Sequence, residues 1–249
     1  MKSFNEMKRE GNPIIPLVYD QINGWGKDDE FFLEFLKKLN GKELADLGCG
    51  TGRLTTHFSQ AGYQITAIDP NDEAIEQARI KNGADKITWI VGDSSNLQTS
   101  AYDVVIMTAN VAQVFLTDES WEQVISDAYR ALKPGGHFIF DTRNPLAQVW
   151  EQWEKDSTPD VAMHPVTGER LEIWTEYDGF VEDIYTFHES VKNPQTNEVL
   201  VSQKMQLKFR PREAIYDSLK NFSQIRVYGD WVFQEATSET KSFIFHVLK

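Results

Sequence analysis

Glu43-Leu-Ala-Asp-Leu-Gly-Cys-Gly-Thr-Gly-Arg-Leu-Thr55 decides the fold. The apolar run Leu44, Ala45 and Leu47 suits a short buried strand, and three glycines separate it from a helix-compatible segment. Gly48, Gly50 and Gly52 permit a tight turn and let a ligand lie against the main chain, beside the free N–H groups of the next helix. A dinucleotide fingerprint, G-x-G-x-x-G, needs its third glycine where this chain has Arg53; the spacing here is G-x-G-x-G. The turn is built to bind, and spacing alone leaves the ligand open.

Beyond it, strands are predicted at 43–47, 64–69, 87–91, 102–107 and 136–141, and helices at 53–61, 71–80 and 118–131. Asn71 and Thr117 are the expected N-caps, and Lys133-Pro-Gly-Gly136 reads as a turn. Short apolar runs alternating with helices predict an α/β fold, a parallel sheet covered on both faces. Ligands of such sheets bind outside the C-terminal ends of the strands.

Upstream, Met1–Glu10 is polar, a frayed end or loose helix. Asn12–Asp20 carries Pro13 and Pro16 and is expected to be extended or turning. Phe31, Phe32, Phe35, Leu36 and Leu39 recur at helical spacing before Asn40-Gly41. Downstream, residues 146–170 look irregular. Strand-like runs Leu171–Tyr177 and Phe180–Val191 meet at Asp178-Gly179, a hairpin signal, and Glu198–Phe209 alternates as a third. A helix at Pro211–Leu219 and strands at Ser223–Tyr228 and Ser242–Leu248 close the chain. The expected division is an N-terminal covering segment (1–42), a core (43–145 and 210–249) and an inserted antiparallel β cap (146–209).

A net charge of −13 over 249 residues argues against general binding to nucleic acid or an anionic membrane, since both need a basic face. No apolar run approaches the ~18 residues of a membrane span, and no signal peptide opens the chain. The single cysteine, Cys49, excludes an internal disulfide and a cysteine cluster for zinc. A reducing, cytoplasmic setting is the default expectation, with the chain a monomer or homodimer.

Asp69 ends the second strand, about 20 residues past the glycine turn, where an acid accepts from ribose hydroxyls. Asp93 ends the third strand, placed to accept from an adenine amino group while the Ser94 backbone donates to a ring nitrogen. Asn110 follows the fourth strand into the same crevice. Singly, each is an ordinary turn or cap residue; one per strand, in order, they make a site.

Asp46-Leu-Gly-Cys-Gly-Thr-Gly52, Asp69-Pro70, Gly92-Asp93-Ser94 and Leu132-Lys-Pro-Gly-Gly136 together resemble the class I S-adenosylmethionine-dependent methyltransferases over about residues 43–141. The resemblance implies a Rossmann-like, seven-stranded, mostly parallel sheet whose last strand is antiparallel. It implies S-adenosylmethionine as cofactor, its methionyl part against the turn from Asp46 through Gly48, Cys49, Gly50 and Gly52. The ribose then lies at Asp69-Pro70 and the adenine at Asp93-Ser94. By the same resemblance Tyr19 is the N-terminal tyrosine that closes over the cofactor.

Methyl transfer from a sulfonium is an in-line displacement, so alignment and exclusion of water supply most of the acceleration. A neutral amine needs no strong base, whereas a hydroxyl acceptor usually needs one or a metal. Phe140-Asp-Thr-Arg-Asn-Pro145 resembles the segment of glycine N-methyltransferase that supplies an arginine to the substrate carboxylate, which makes Arg143 and Asn144 substrate candidates. Pro145 departs from the aromatic expected there. The insert resembles that of bacterial small-molecule N-methyltransferases, including those acting on amino sugars. There Trp174 and Tyr185 are candidates for contact with the acceptor, and His188 and Tyr177 for catalysis. No histidine has metal-ligand company, and no metal is expected. Methyl transfer to a small polar acceptor, an amine nitrogen, competes with an NAD-dependent oxidoreductase on a similar fold and with a non-catalytic S-adenosylmethionine-binding protein.

Overall fold

The computed structural model describes residues 14–155 and 157–249; the expectation for Met1–Glu10 lies outside them. In chain order the helices are α1 (Ile14–Ile22), α2 (Lys27–Lys37), α3 (Thr55–Gln60), α4 (Asp72–Arg79), α5 (Asp118–Ala131), α6 (Trp150–Trp153) and α7 (Arg212–Ser218). The strands are β1 (Glu43–Leu47), β2 (Gln64–Asp69), β3 (Ile87–Val91), β4 (Tyr102–Met107), β5 (Leu132–Arg143), β6 (Asp160–Met163), β7 (Arg170–Val181), β8 (Ile184–Asn193), β9 (Glu198–Lys208), β10 (Gln224–Gly229), β11 (Val232–Glu235) and β12 (Ser242–Leu248).

The larger sheet runs β11-β10-β12-β5-β4-β1-β2-β3. Strands β1 to β5 are parallel, and β12 lies antiparallel between β5 and β10. It has eight strands where seven were expected. The extra one, β11, exists because Asp230 and Trp231 take φ +50° and +64° and fold the chain back on β10. Phe233 then stacks on Phe31 at 4.5 Å.

Alternation along the strands fills a core on each face. Val124, Ile125 and Ala128 of α5 bury Phe138, Phe140 and Phe245 on one side, while Phe31, Phe32, Phe35 and Leu36 of α2 bury Val104, Ile106 and Ile244 on the other. Asn71 and Thr117 cap α4 and α5, accepting from the Ala74 and Ser120 N–H groups.

Four expectations are corrected. Residues 14–20 are helical, because Pro16 sits in the first turn of α1, where its missing N–H has no intrahelical acceptor to lose. Lys133–Gly136 bulges within β5: Tyr102 pairs with Leu132 and Val104 already with His137, so the intervening residues loop out of the ladder. The span 146–170 holds α6 and β6. The β7–β8 turn falls at Glu182-Asp183, because Phe180 pairs with Tyr185 and Val181 with Ile184; Asp178-Gly179 is a bulge instead.

The smaller sheet is antiparallel, β6-β7-β8-β9. Ile173, Leu171 and Val191 of one face bury Val18 of α1, so this is the face that looks onto the core. Gln21 joins α1 to β6, donating to the Met163 carbonyl and accepting from its N–H, both at 2.9 Å.

Candidate functional site

Chain direction and sheet order bring the glycine turn, Asp69, Asp93, Asn110 and Arg143 to one edge of the larger sheet. Asp69 accepts from the Gly50 N–H at 2.7 Å and from the Asn71 N–H at 2.9 Å, so it holds the turn as well as facing the crevice. Burial raises its pKa against those two bonds. Gly50 has φ +53°, and a Cβ there would meet nothing within 4 Å: the space over the turn is open. Gly52 is the opposite case, since a Cβ would lie 2.5 Å from the Trp89 ring.

Under the turn, Asp46 is 1% exposed. Its Oδ2 accepts from the Thr55 hydroxyl at 2.6 Å, and its Oδ1 has no partner. Burial pushes this carboxyl up to about 7, with the nearby Asp69 charge adding to the rise. Burial also raises the Cys49 thiol, so the lone cysteine is a poor nucleophile.

Asp93 caps the short turn Ser94–Asn96, its Oδ1 accepting from the Ser95 N–H and hydroxyl. The Ser94 hydroxyl donates to Asp127 at 2.8 Å, so the side chain is engaged with α5. Pro70 is exposed beside Asp69.

Asn110 stands in the left-handed region at φ +62°. Its N–H donates to Asp141 Oδ2 at 2.9 Å. In the amide orientation that satisfies both neighbours, the side chain also donates to that oxygen and accepts from Arg143, each at 3.3 Å. Arg143 further donates to Gln113 Oε1 at 2.8 Å and lies 4.8 Å from the Trp153 ring centre. Its guanidinium is thus already engaged on several sides. Asp141 is fully buried with Oδ1 unpartnered, and burial pushes its carboxyl up to about 7 despite the adjacent Arg143 charge. Sequence reasoning missed Asp141 and Gln113. Asp141 was visible as an acid at the end of β5; Gln113, which also donates to the Lys208 carbonyl of β9 at 3.3 Å, gave no signal.

Helix α1 lies between this edge and the cap. Asp20 accepts from the Thr51 hydroxyl at 2.6 Å and pairs with Lys81, tying α1 to the turn. Burial raises the Tyr19 hydroxyl pKa; Arg53 pulls it down, and Glu189 of β8 raises it further. Tyr19 therefore stands between core and cap.

Register sorts the cap candidates. Tyr177, Tyr185, Phe187, Glu189 and Val191 share the face toward α1, since residues two apart in a strand point the same way and cross-strand partners do too. His188 and Trp174 point the other way. His188 lies 3.4 Å from Asp178 and Trp174 packs by Lys192, so neither is brought to the site. Tyr185 is fully buried among Trp150, Trp153, Phe180 and Phe209 and donates to Glu154, which makes it a packing residue. Asn144 donates to the Thr240 carbonyl and accepts from the Leu146 N–H, and is spent on the chain turn after β5. Among the described residues no group of acids, histidines and cysteine could hold a metal. A cavity of about 550 Å³ lies by α5 and α7 and contains none of these residues. We assign the site from the strand ends and the turn instead.

Residues 44–136 match the family model described as a methyltransferase domain. The malonyl-[acyl-carrier protein] O-methyltransferase of Pectobacterium atrosepticum is 30% identical over 128 residues, 49% of each chain. This chain thus aligns with about half the length of that relative. Among solved structures, the CcbJ methyltransferase of Streptomyces caelestis superposes with TM-score 0.73 at 14% identity, covering 94% of this chain and 95% of that one. CalS10, an amino pentose methyltransferase from Micromonospora echinaspora solved with S-adenosylmethionine bound, gives TM-score 0.65 at 14% identity, over 91% and 93%. At these identities the superpositions establish the fold.

Proposed function

We propose that this chain, whose residues 44–136 match the methyltransferase domain model, transfers the methyl group of S-adenosylmethionine to a small polar acceptor, an amine nitrogen. The observation that carries it is the turn itself. Asp69 holds the Gly50 N–H, the space above Gly50 is open, and a buried carboxylate oxygen of Asp46 lacks a partner beneath. These residues fit a cofactor with a cationic amino-acid tail and a ribose.

The cofactor supplies an electrophilic methyl group on a sulfonium. The protein's part is position and exclusion. Asp46 and the turn from Gly48 to Gly52 take the amino-acid tail, Asp69 the ribose, and Asp93 with the Ser94 backbone the adenine. Tyr19 covers the cofactor, with α1 held down through Asp20. Asn110 and Arg143 face the acceptor side, and with them the residues 146–209 act as a cap over the acceptor. By excluding water, α1 and the cap would favour attack by an amine on the methyl group that the cofactor supplies when bound.

The family match ends at residue 136, before the cap, so it supports methyl transfer without selecting the O-methyl chemistry of the malonyl carrier-protein relative. No helix among the described residues is long and apolar enough to cross a membrane. The acidic net charge favours a small-molecule acceptor over nucleic acid. An oxidoreductase is disfavoured by Arg53, which replaces the third glycine with a side chain bonded to Asp29.

Isothermal titration with S-adenosylmethionine and with S-adenosylhomocysteine tests the function. Micromolar binding of both is expected, and binding of neither below millimolar overturns it. Incubation with labelled cofactor and a metabolite extract, followed by mass spectrometry, then identifies the acceptor.

A further inference from the structure

Across the inward face of the cap, Thr175, Glu189 and Gln203 are direct cross-strand neighbours on β7, β8 and β9. The rows on either side are apolar: Ile173, Val191 and Val201, then Tyr177, Phe187 and Met205. A polar row inside an apolar, core-facing surface costs stability unless something polar meets it. Gln203 donates to Glu189 Oε2 at 3.0 Å, and among the described residues no basic side chain pairs with this carboxylate. Its neighbours are Tyr19 on α1 and Asp160 on β6. A cavity of about 210 Å³ lies at β7 beside Thr175, the cross-strand partner of Glu189; Asp160, Ile173, Trp174, Thr175 and Tyr177 are in its wall and Glu189 is not.

We propose that Glu189 is the acceptor-binding residue of the cap, its carboxylate holding the ammonium group of a primary or secondary amine and taking a proton from it. This rests on the methyltransferase function above and adds to it the acceptor's charge and the base. In the step, an N–H bond of the ammonium breaks and an O–H bond forms on Glu189. The nitrogen keeps the electron pair and becomes the nucleophile, and methylation returns the positive charge to it. The carboxyl gives its proton to solvent after product leaves. Burial, and the Asp160 charge beside it, raise the Glu189 pKa, which suits a base for an ammonium better than an exposed carboxylate would. Glu189 shares the face of the smaller sheet that packs on Val18 of α1, the helix that Asp20 ties to the glycine turn, and its charge, like that of Arg53, acts on the Tyr19 hydroxyl.

The test uses the full chain saturated with S-adenosylhomocysteine and titrated with cyclohexylammonium chloride or, as the neutral match, cyclohexanol, followed by NMR. Wild type should bind the ammonium at least about tenfold tighter than the alcohol, the scale of one charge-assisted contact. Its ammonium binding should weaken as pH falls and Glu189 takes up a proton. Glu189→Gln, which keeps the size and can keep the Gln203 bond, should lose both the preference and the pH dependence while S-adenosylhomocysteine affinity is unchanged. Glu176→Gln, the same charge change on the outward face of β7, should behave as wild type. Equal binding of the two probes by wild type, or a preference retained in Glu189→Gln, overturns the proposal. Failure of wild type to bind S-adenosylhomocysteine is a different result, and removes the function on which the proposal rests.

Discussion

Arg53 grips Asp29 with both arms of its guanidinium, Nη1 to Oδ2 at 2.5 Å and Nη2 to Oδ1 at 2.8 Å. The Asp29 side chain is 2% exposed, and Oδ2 also accepts from the Gly26 N–H at the start of α2. The residue that breaks the dinucleotide spacing thus fastens the glycine turn to α2. Arg53→Ala leaves a buried carboxylate without its cation and should cost about 3 kcal/mol. Urea unfolding measures it, and an unchanged midpoint would show that the pair carries no net stability.

Asp69 orients the turn through the Gly50 N–H, and under the proposed function it also accepts from the ribose. Asp69→Ala removes both. Each lost charge-assisted bond is worth about 1.5–3 kcal/mol, so S-adenosylhomocysteine affinity should fall at least about tenfold. Calorimetric titration reads this directly; an affinity equal to wild type would place the ribose elsewhere.

Asp46 and Asp141 carry a pH signature. Burial pushes both carboxyls from an ordinary 3.8 up to about 7. Between about pH 4 and pH 7 the folded protein holds protons that the unfolded chain has released, so each group lowers stability as pH rises through that window and adds nothing further above it. The loss is on the order of a few kcal/mol per group. Asp103 and Asp127, whose pKa values are held below the ordinary range, act at lower pH and in the opposite sense, and His246 and His137, which burial lowers, offset part of the loss within the window itself. Thermal unfolding without cofactor should therefore show Tm falling from pH 5 to pH 7, and Asp46→Asn should flatten the slope. Parallel curves for the two proteins would mean that Asp46 titrates normally.

Strands β1 to β4 were legible to the residue because each is a short apolar run ended by a glycine, an acid or a turn, whereas β5 began four residues earlier than its apolar run. Helix α1 was not, since a proline reads as a breaker unless its place in the first turn is known. The smaller sheet was legible as antiparallel, yet which of its residues face α1 was not. His188 and Glu189 are adjacent in sequence, and only the pairing of Thr175 with Glu189 decides which of them faces α1. Asp141 and Gln113 lay hidden for a related reason: their roles come from partners about 30 residues away at Asn110 and Arg143.

The contact of α1 with the turn gives the last expectation. Asp20 receives the Thr51 hydroxyl and pairs with Lys81, and neither bond is duplicated elsewhere between α1 and the turn among the described residues. Val18 and Gln21, by contrast, attach the same helix to the cap. Asp20→Ala should therefore free α1 from the turn while leaving it on the cap, so that Tyr19 covers the cofactor for a smaller fraction of the time. Surface pairs contribute about 0–1 kcal/mol to stability, and unfolding should move little. Dissociation of S-adenosylhomocysteine should be faster by several-fold in stopped-flow displacement, with association nearly unchanged, because the helix is lost as a cover and the binding groups remain. An equal slowing or speeding of both steps would show that Asp20 shapes the turn itself, and an unchanged dissociation rate would show that α1 does not gate it.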